Sequence, residues 1–139
     1  QWFEPMDRKV GPATGFSIDT LDKLPRVDVI YAHANMSADL IDAAIKNGAK
    51  GLVIAGVGDG NMTTPALDTL TKAAKAGVVV VRSTRLPSGI TLRNNEVNDD
   101  EKGLVASGEL NPAKSRVLLQ LALTKTNDPV QIQRMFYEY

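Results

Sequence analysis

Short apolar segments alternate with segments of helical periodicity along the middle of the chain. Val27 to Tyr31, Gly51 to Ala55 and Val78 to Val81 are short, apolar and mostly β-branched, as buried strands are. The stretches between them carry apolar residues at helical spacing. This alternation is typical of right-handed βαβ units, whose helices cover a parallel sheet. The sequence therefore predicts a three-layer α/β fold: a small, mainly parallel, Rossmann-like sheet of about four strands with helices on both faces.

Two helices are predicted between the three strands. Ser37 is a good N-cap for the first, and Gly48 closes it. Its apolar face is expected to hold Leu40, Ile41, Ala44 and Ile45. Thr64 is the expected N-cap of the second helix, and Gly77 ends it. Both helices therefore have a defined start, a defined end and one face for the core.

The chain after the third strand is polar, and we expect a long loop there. It runs from Thr84 to Gly103, and loops of that length are usually functional or mobile. Leu104 to Ala106 is apolar enough for a fourth strand. Asn111-Pro112 and Asp128-Pro129 then open two final helices, each with a capping residue followed by proline. The buried face of the first is expected to hold Val117, Leu118, Leu121 and Ala122.

The predicted domain begins at residue 26 and runs to residue 139. Residues 1–25 are rich in proline and glycine and lack any apolar periodicity, so we expect an interdomain arm or linker. The sequence starts at Gln1 with no basic-then-apolar leader behind it. We therefore expect a processed product or a piece of a longer protein.

Composition excludes several classes of function. The 16 Lys and Arg cancel the 16 Asp and Glu, so no net positive field favours nucleic acid or an anionic membrane as a partner. The chain has no Cys and one His, which excludes thiol chemistry and the two-His metal motifs. Its apolar runs are far shorter than the roughly 18 residues of a membrane helix. We expect no metal and no cofactor.

The glycine-rich segment 56–61, Gly-Val-Gly-Asp-Gly-Asn, admits three interpretations. It resembles a dinucleotide fingerprint, but its third glycine, Gly60, comes one position early. Glycines also allow a tight turn between a strand and a helix without any ligand. Finally, the carboxyl ends of parallel strands are where open α/β sheets bind ligands, and there the Asn61 amide offers a donor and an acceptor to a small zwitterion.

Other polar residues give weaker signals. His33 follows the first strand without a nearby partner, so we expect a surface or hydrogen-bonded loop residue. Ser83 lies outside any G-x-S-x-G elbow, which leaves a serine nucleophile unsupported. Arg82 and Arg85 flank the end of the third strand. They could bind an anionic ligand, although pairing with a carboxylate of the protein is the commoner role of such residues. Glu96 lies in an Asn-rich acidic loop. A solvated surface position explains it as well as a functional role does.

Several ordered motifs resemble the C-terminal domain of the bacterial type II L-asparaginase family. The similarity extends from Leu24 to Tyr139, and many spaced motifs in the right order are far more specific than any single one. The motifs are Leu24-Pro25-Arg26-Val27-Asp28, Ala55-Gly56-Val57-Gly58-Asp59-Gly60-Asn61, Val81-Arg82-Ser83-Thr84-Arg85, Glu96-Val97-Asn98-Asp99-Asp100, Leu110-Asn111-Pro112-Ala113-Lys114 and Leu121-Ala122-Leu123-Thr124-Lys125-Thr126.

The resemblance implies an amidohydrolase that converts L-asparagine, and to a variable degree L-glutamine, to the acid and ammonia without metal or cofactor. In that family the threonine nucleophile lies in an N-terminal domain whose motifs are missing here, so the isolated chain is expected to be inactive. Active sites form between subunits of a dimer of intimate dimers. By the match, Asn61 contacts the α-amino and α-carboxylate groups of the substrate in trans. Glu96 approaches the substrate ammonium and the threonine–tyrosine hydroxyl network as an auxiliary catalytic residue.

The same resemblance implies a periplasmic or secreted parent enzyme and, because Asn61 replaces a serine common in strong glutaminases, a slight preference for asparagine. Two alternatives stay open. The first is a free-standing α/β module that binds a small anion or nucleotide through the Gly56 to Gly60 loop. The second is a domain that serves assembly alone.

Overall fold

The computed structural model describes residues 11–139; the first ten residues of the predicted arm lie outside the described residues. Four strands and five α-helices follow a short 3-10 helix, Gly11–Thr14. The strands are β1 (Val27–Tyr31), β2 (Gly51–Gly56), β3 (Val79–Thr84) and β4 (Val105–Ala106). The helices are α1 (Asp39–Lys46), α2 (Thr64–Lys75), α3 (Asp99–Lys102), α4 (Pro112–Ala122) and α5 (Pro129–Glu138).

The four strands form one parallel sheet in the order β1-β2-β3-β4. Because the spatial order follows the chain order, right-handed crossovers place α1, α2 and α3 on the same face. Helices α4 and α5 come after the last strand and cover the other face. The predicted α/β architecture, with a small parallel sheet between two helical layers, is confirmed.

Side chains alternate along the strands between two apolar cores, as the pleat of a sheet requires. Leu52 and Ile54 of β2 pack with α1 and α2, whereas Val53 between them packs with α4 and α5. All six residues of β2 are buried, which explains why this segment is apolar throughout rather than alternating.

Both expected N-caps of the first two helices are wrong by one residue. Ala38 occupies the N-cap of α1, while the Ser37 hydroxyl accepts only a long 3.5 Å hydrogen bond from the Asp39 amide. Thr63 rather than Thr64 precedes α2, and its hydroxyl donates to the Met36 carbonyl at 3.0 Å instead of capping the helix. A tertiary contact has replaced the local cap that the sequence favoured.

Two residues assigned to buried helix faces are exposed. Leu40 in α1 is 62% exposed and Val117 in α4 is 54% exposed. Other residues predicted for the same faces do pack into the cores: Ile41, Ala44 and Ile45 in α1, and Leu118 and Ala122 in α4. Each predicted apolar face is therefore correctly placed but one residue too wide.

Strand β3 extends three residues beyond its predicted end and takes Arg82, Ser83 and Thr84 into the buried sheet. Helix α3 lies within the stretch expected to be loop, where the Asn98 side chain accepts a hydrogen bond from the Glu101 amide. Within the described residues no helix is long and apolar enough to cross a bilayer.

Candidate ligand-binding site

The loops that follow β2 and β3 meet at the carboxyl edge of the sheet. The two strands end in register, with Gly56 opposite Thr84. We call residues 57–61, which follow β2, the glycine turn, and residues 85–98, which follow β3, the polar loop. Because parallel strands deliver their carboxyl ends to one edge, segments far apart in sequence become neighbours there.

The glycine turn is fixed by its own backbone. The Val57 and Asn61 amides each donate to the other residue's carbonyl at 2.8 Å. Gly60 has φ +72°, a conformation that favours glycine. A Cβ on Gly56 would lie 2.4 Å from the Gly60 carbonyl carbon, so only glycine fits at that position. This tight closure sets the place of the Asn61 side chain.

Asn61 and Glu96, both predicted as site residues, are brought together. The Asn61 amide Nδ2 donates to the Glu96 carboxylate Oε2 at 3.3 Å, although 35 residues separate them in sequence. The Asn61 Oδ1 accepts from the Met62 amide at 2.8 Å, which fixes the orientation of the side-chain amide. Both side chains are exposed, so a donor and a carboxylate face solvent side by side.

Beneath the two loops lies a fully buried ion pair between Arg82 and Asp99. Arg82 Nε and Nη2 donate to the two Asp99 oxygens at 2.6 and 2.7 Å. The same guanidinium donates from Nη1 to the Asp59 carbonyl at 2.8 Å and from Nη2 to the Leu92 carbonyl at 3.0 Å. One cation in the end of β3 therefore holds the glycine turn and the polar loop together.

The Asp59 carboxylate joins the two loops nearer the surface. Its Oδ1 accepts from the Leu92 amide at 2.6 Å, and its Oδ2 accepts from the Asn95 side chain at 2.7 Å. Asp59 and Leu92 are thus linked twice, by this bond and through Arg82. Bonds to charged groups are stronger than neutral ones, so these contacts restrain Glu96 relative to Asn61.

A second, exposed cluster stabilises the distal part of the polar loop. Hydrogen bonds from the Asn94 side chain, and then from Arg93, lower the pKa of the Asp100 carboxyl. Arg93 also donates to Gln133 Oε1 at 2.7 Å, and Gln133 pairs with both backbone groups of Ala106 at the edge of the sheet. The polar loop is therefore attached to α5 as well as to the glycine turn.

The other predicted polar residues have structural contacts. His33 is exposed and its Nδ1 lies 2.8 Å from the Ala34 carbonyl, which confirms a hydrogen-bonded loop residue. Ser83 is buried, with its hydroxyl donating to the Leu110 carbonyl at 3.0 Å. Arg85 donates to the Ala32 carbonyl at 2.9 Å. Arg82 lies inside β3 rather than beyond its end, and it binds a carboxylate, the commoner of its two expected partners.

The amides at the two ends of the glycine turn, and the Met62 amide after it, are not free to bind a phosphate. Phosphate-binding loops aim free backbone amides at the anion. Here the Val57 and Asn61 amides bond to each other's carbonyls, and the Met62 amide bonds to Asn61 Oδ1. The glycines therefore make a closed turn. In the described part of the chain no group of three or more metal-ligating side chains comes together.

Sequence reasoning missed two residues of the site, Asp59 and Asp99, and missed that Arg82 joins the two loops. A signal was present for Arg82, since a cation directly after four valines is buried with the strand and requires a partner. The partner was hidden because two adjacent aspartates, Asp99 and Asp100, are equivalent in sequence. Only the fold decides that Asp99 is buried and Asp100 exposed.

Residues 26–136 match the family model described as Glutaminase/Asparaginase C-terminal domain. The chain is 52% identical over 126 residues to the probable periplasmic L-asparaginase of Haemophilus influenzae, covering 91% of this chain and 36% of that protein. It is 50% identical over 132 residues to L-asparaginase 2 of Escherichia coli, covering 95% and 38%. It is 40% identical over 141 residues to the glutaminase-asparaginase of Acinetobacter glutaminasificans, covering 99% and 43%.

The matches extend over nearly the whole of this chain but less than half of each of these relatives. The match begins at Arg26, one residue before β1, and ends within α5. The fold and these similarities together show that the chain belongs to the glutaminase/asparaginase C-terminal domain family.

Proposed function

We propose that this chain is the substrate-binding half of an amidohydrolase site. It acts in an enzyme that hydrolyses L-asparagine, and to a lesser degree L-glutamine, to the acid and ammonia. The observation that supports this most directly is the 3.3 Å contact between Asn61 Nδ2 and Glu96 Oε2 at the exposed carboxyl edge. A further support is the relatives' names, which include L-asparaginase and glutaminase-asparaginase.

The two side chains complement the common part of both substrates, an α-ammonium beside an α-carboxylate. The Asn61 amide is oriented by Met62, so its Nδ2 is the donor on the side of Glu96 and has a second hydrogen for the substrate carboxylate. The Glu96 carboxylate accepts from the substrate ammonium. This pairing fixes the amino-acid end and leaves the side-chain amide free to reach a nucleophile.

The nucleophile comes from another domain. An asparagine amide does not attack a carboxamide, and Glu96 serves by orienting the ammonium and by hydrogen bonding to a nearby hydroxyl. The nucleophile that the family resemblance implies is a threonine of a partner domain. That domain belongs to a neighbouring subunit of a homotetramer. The reaction then needs no metal or cofactor.

Exposed apolar surface supports such an assembly. A groove of about 440 Å³ lies along α4, lined mainly by apolar side chains that include Leu110, Val117 and Leu121. Leu86, Ile90 and Leu92 are 46–47% exposed beside the site. Contiguous apolar surface of this kind marks contacts with other protein. We propose the periplasm as the compartment, since the Haemophilus influenzae relative is named periplasmic.

The decisive kinetic test uses the full-length protein that contains this domain. Asn61→Ala should lower kcat/KM for L-asparagine by about ten- to a hundredfold, as expected for a hydrogen bond to a charged group worth about 1.5–3 kcal/mol. Asn47→Ala is the matched control, because Asn47 is also exposed and bonds the Ala43 carbonyl, but lies at the opposite edge of the sheet. Unchanged kcat/KM in Asn61→Ala would remove Asn61 from the site.

A second measurement separates the half-site from a free-standing module. The 139-residue chain alone should release no ammonia from L-asparagine. It should also show no binding of ATP by calorimetry, because the Val57 and Asn61 amides that close the glycine turn are already bonded to each other's carbonyls. Ammonia release near the rate of a full-length relative would refute the external nucleophile, and micromolar ATP binding would favour the nucleotide module.

A further inference from the structure

We propose that Arg82 is a positioning residue for catalysis, which sets the distance between Asn61 and Glu96 without touching the substrate. This inference rests on the function proposed above. Arg82 is fully buried, and its guanidinium donates to groups in three separate segments: the glycine turn, the polar loop and the start of α3. If Arg82 served only to neutralise the Asp99 charge, it would not need its bonds to the two loops.

The bonds from Arg82 fall close to each of the two site residues. In the glycine turn its Nη1 reaches the carbonyl of Asp59, two residues before Asn61, at 2.8 Å. In the polar loop its Nη2 reaches the Leu92 carbonyl at 3.0 Å, four residues before Glu96. In both bonds the acceptor is a backbone carbonyl rather than a side chain, so the guanidinium fixes the path of the main chain in each loop.

Asp99 completes the device by holding both the arginine and the polar loop. Its Oδ2 accepts from Arg82 Nη2 at 2.7 Å and from the Asn94 amide at 2.9 Å. Asn94, with φ +55°, lies in a turn two residues before Glu96. The Asp99 carboxylate therefore holds this turn of the polar loop while it orients the guanidinium fork.

Only arginine has the geometry for this task. Its planar fork presents five N–H groups in fixed directions, whereas a lysine ammonium is a point charge on a flexible stem. Arg82→Lys therefore keeps a positive charge beside Asp99 and keeps the buried pair neutral overall. It loses the simultaneous bonds to the Asp59 and Leu92 carbonyls, which lie on different loops.

The test measures steady-state kinetics of the full-length protein with L-asparagine. Arg82→Lys should lower kcat/KM by about ten- to a hundredfold, since displacements near 1 Å have effects of this size. Most of the change should be a higher KM, because Asn61 and Glu96 bind the amino-acid end of the substrate. Loss of folded enzyme would instead lower the apparent kcat and leave KM unchanged.

A double-mutant cycle separates positioning from general damage. In an Asn61→Ala, Glu96→Ala background, Arg82→Lys should change kcat/KM by less than about twofold, because the groups it positions are gone. The same factor in both backgrounds would overturn the proposal. If Asn61→Ala alone leaves kcat/KM unchanged, the proposed function fails instead, so the two failures are distinguishable.

Two further variants complete the design. Arg116→Lys is the matched control: Arg116 also donates to a backbone carbonyl, that of Val27 at 2.8 Å, but at the opposite edge of the sheet, and its kinetics should be unchanged. If Arg82→Lys does not fold, Asp59→Ala removes the upper link between the loops without disturbing the buried pair. It should also raise KM, and an unchanged KM would contradict positioning through these links.

Discussion

The two loops that meet at the candidate site are held in different ways. The glycine turn closes on itself through paired backbone bonds between Val57 and Asn61, within five residues of chain. The polar loop is held by side chains from elsewhere, above all Arg82 from β3 and Asp99 from α3. The position of Asn61 therefore depends on local closure of the glycine turn together with one bond from Arg82 to the Asp59 carbonyl, whereas the position of Glu96 depends on the buried ion pair and on the Asp59 carboxylate.

This contrast predicts how each loop fails. A substitution in the glycine turn acts through steric clashes and backbone conformation, and should displace the Asn61 side chain first. A change in the ion pair releases the polar loop and should damage Glu96 first.

Asp99→Ala should have the largest effect on stability. It leaves the Arg82 guanidinium buried without its counter-charge, and removing one partner of a buried pair lowers the free energy of unfolding by about 4 kcal/mol. Asp28→Ala is the control, because the Arg26–Asp28 pair is also bidentate but its side chains are 49% and 29% exposed. Chemical denaturation at pH 7 measures both. Equal losses in the two variants would contradict a special role for the buried pair.

Gly56→Ala should come second. The added methyl group would lie 2.4 Å from the Gly60 backbone, so the glycine turn must open, at about 3 kcal/mol. Gly58→Ala is the matched variant: Gly58 has φ +56° and nothing within 4 Å of the added carbon, so only backbone strain of about 1 kcal/mol is expected. Denaturation of both variants should show this order. The reverse order would show that the turn is not closed as described.

Asp100→Asn should have the smallest effect and a defined pH dependence. Since hydrogen bonds from Asn94 and Arg93 hold the pKa of Asp100 below 3.8, the ionised carboxylate stabilises the fold above that pH, and the contribution is lost as the pH falls through the lowered pKa. Denaturation midpoints of the two proteins should differ slightly at pH 7 and converge in acid. A difference that widens in acid would contradict this sign.

Much of the fold could be predicted because it is written in local patterns. Strand β1 lies at its predicted bounds, and the proline-started helices α4 and α5 begin where Asn111-Pro112 and Asp128-Pro129 place them. In those two caps the side chains of Asn111 and Asp128 accept hydrogen bonds from backbone amides in the first turn of the helix. The predicted caps at Ser37 and Thr64 are replaced by Ala38, which makes no side-chain cap, and by Thr63, whose hydroxyl makes a tertiary contact with the Met36 carbonyl.

The site divides along the same line. The tight turn could be predicted from six consecutive residues, whereas Asn61 and Glu96 remain predictions that draw on the family resemblance. The network beneath them could not be predicted, because Arg82, Asp59 and Asp99 are brought together only by strand register and the path of the polar loop. The extension of β3 through Thr84 was missed for the same reason: its last residues are polar, and their partners come from other segments.

A crystal structure of the full-length protein with L-aspartate bound would show whether Asn61 and Glu96 hold the amino-acid end of the ligand. We expect Asn61 Nδ2 to lie within hydrogen-bond distance of the α-carboxylate of the ligand and a Glu96 oxygen to lie within hydrogen-bond distance of its ammonium. A ligand seated beside a threonine of the partner domain, with Asn61 and Glu96 turned toward bulk solvent, would contradict this expectation.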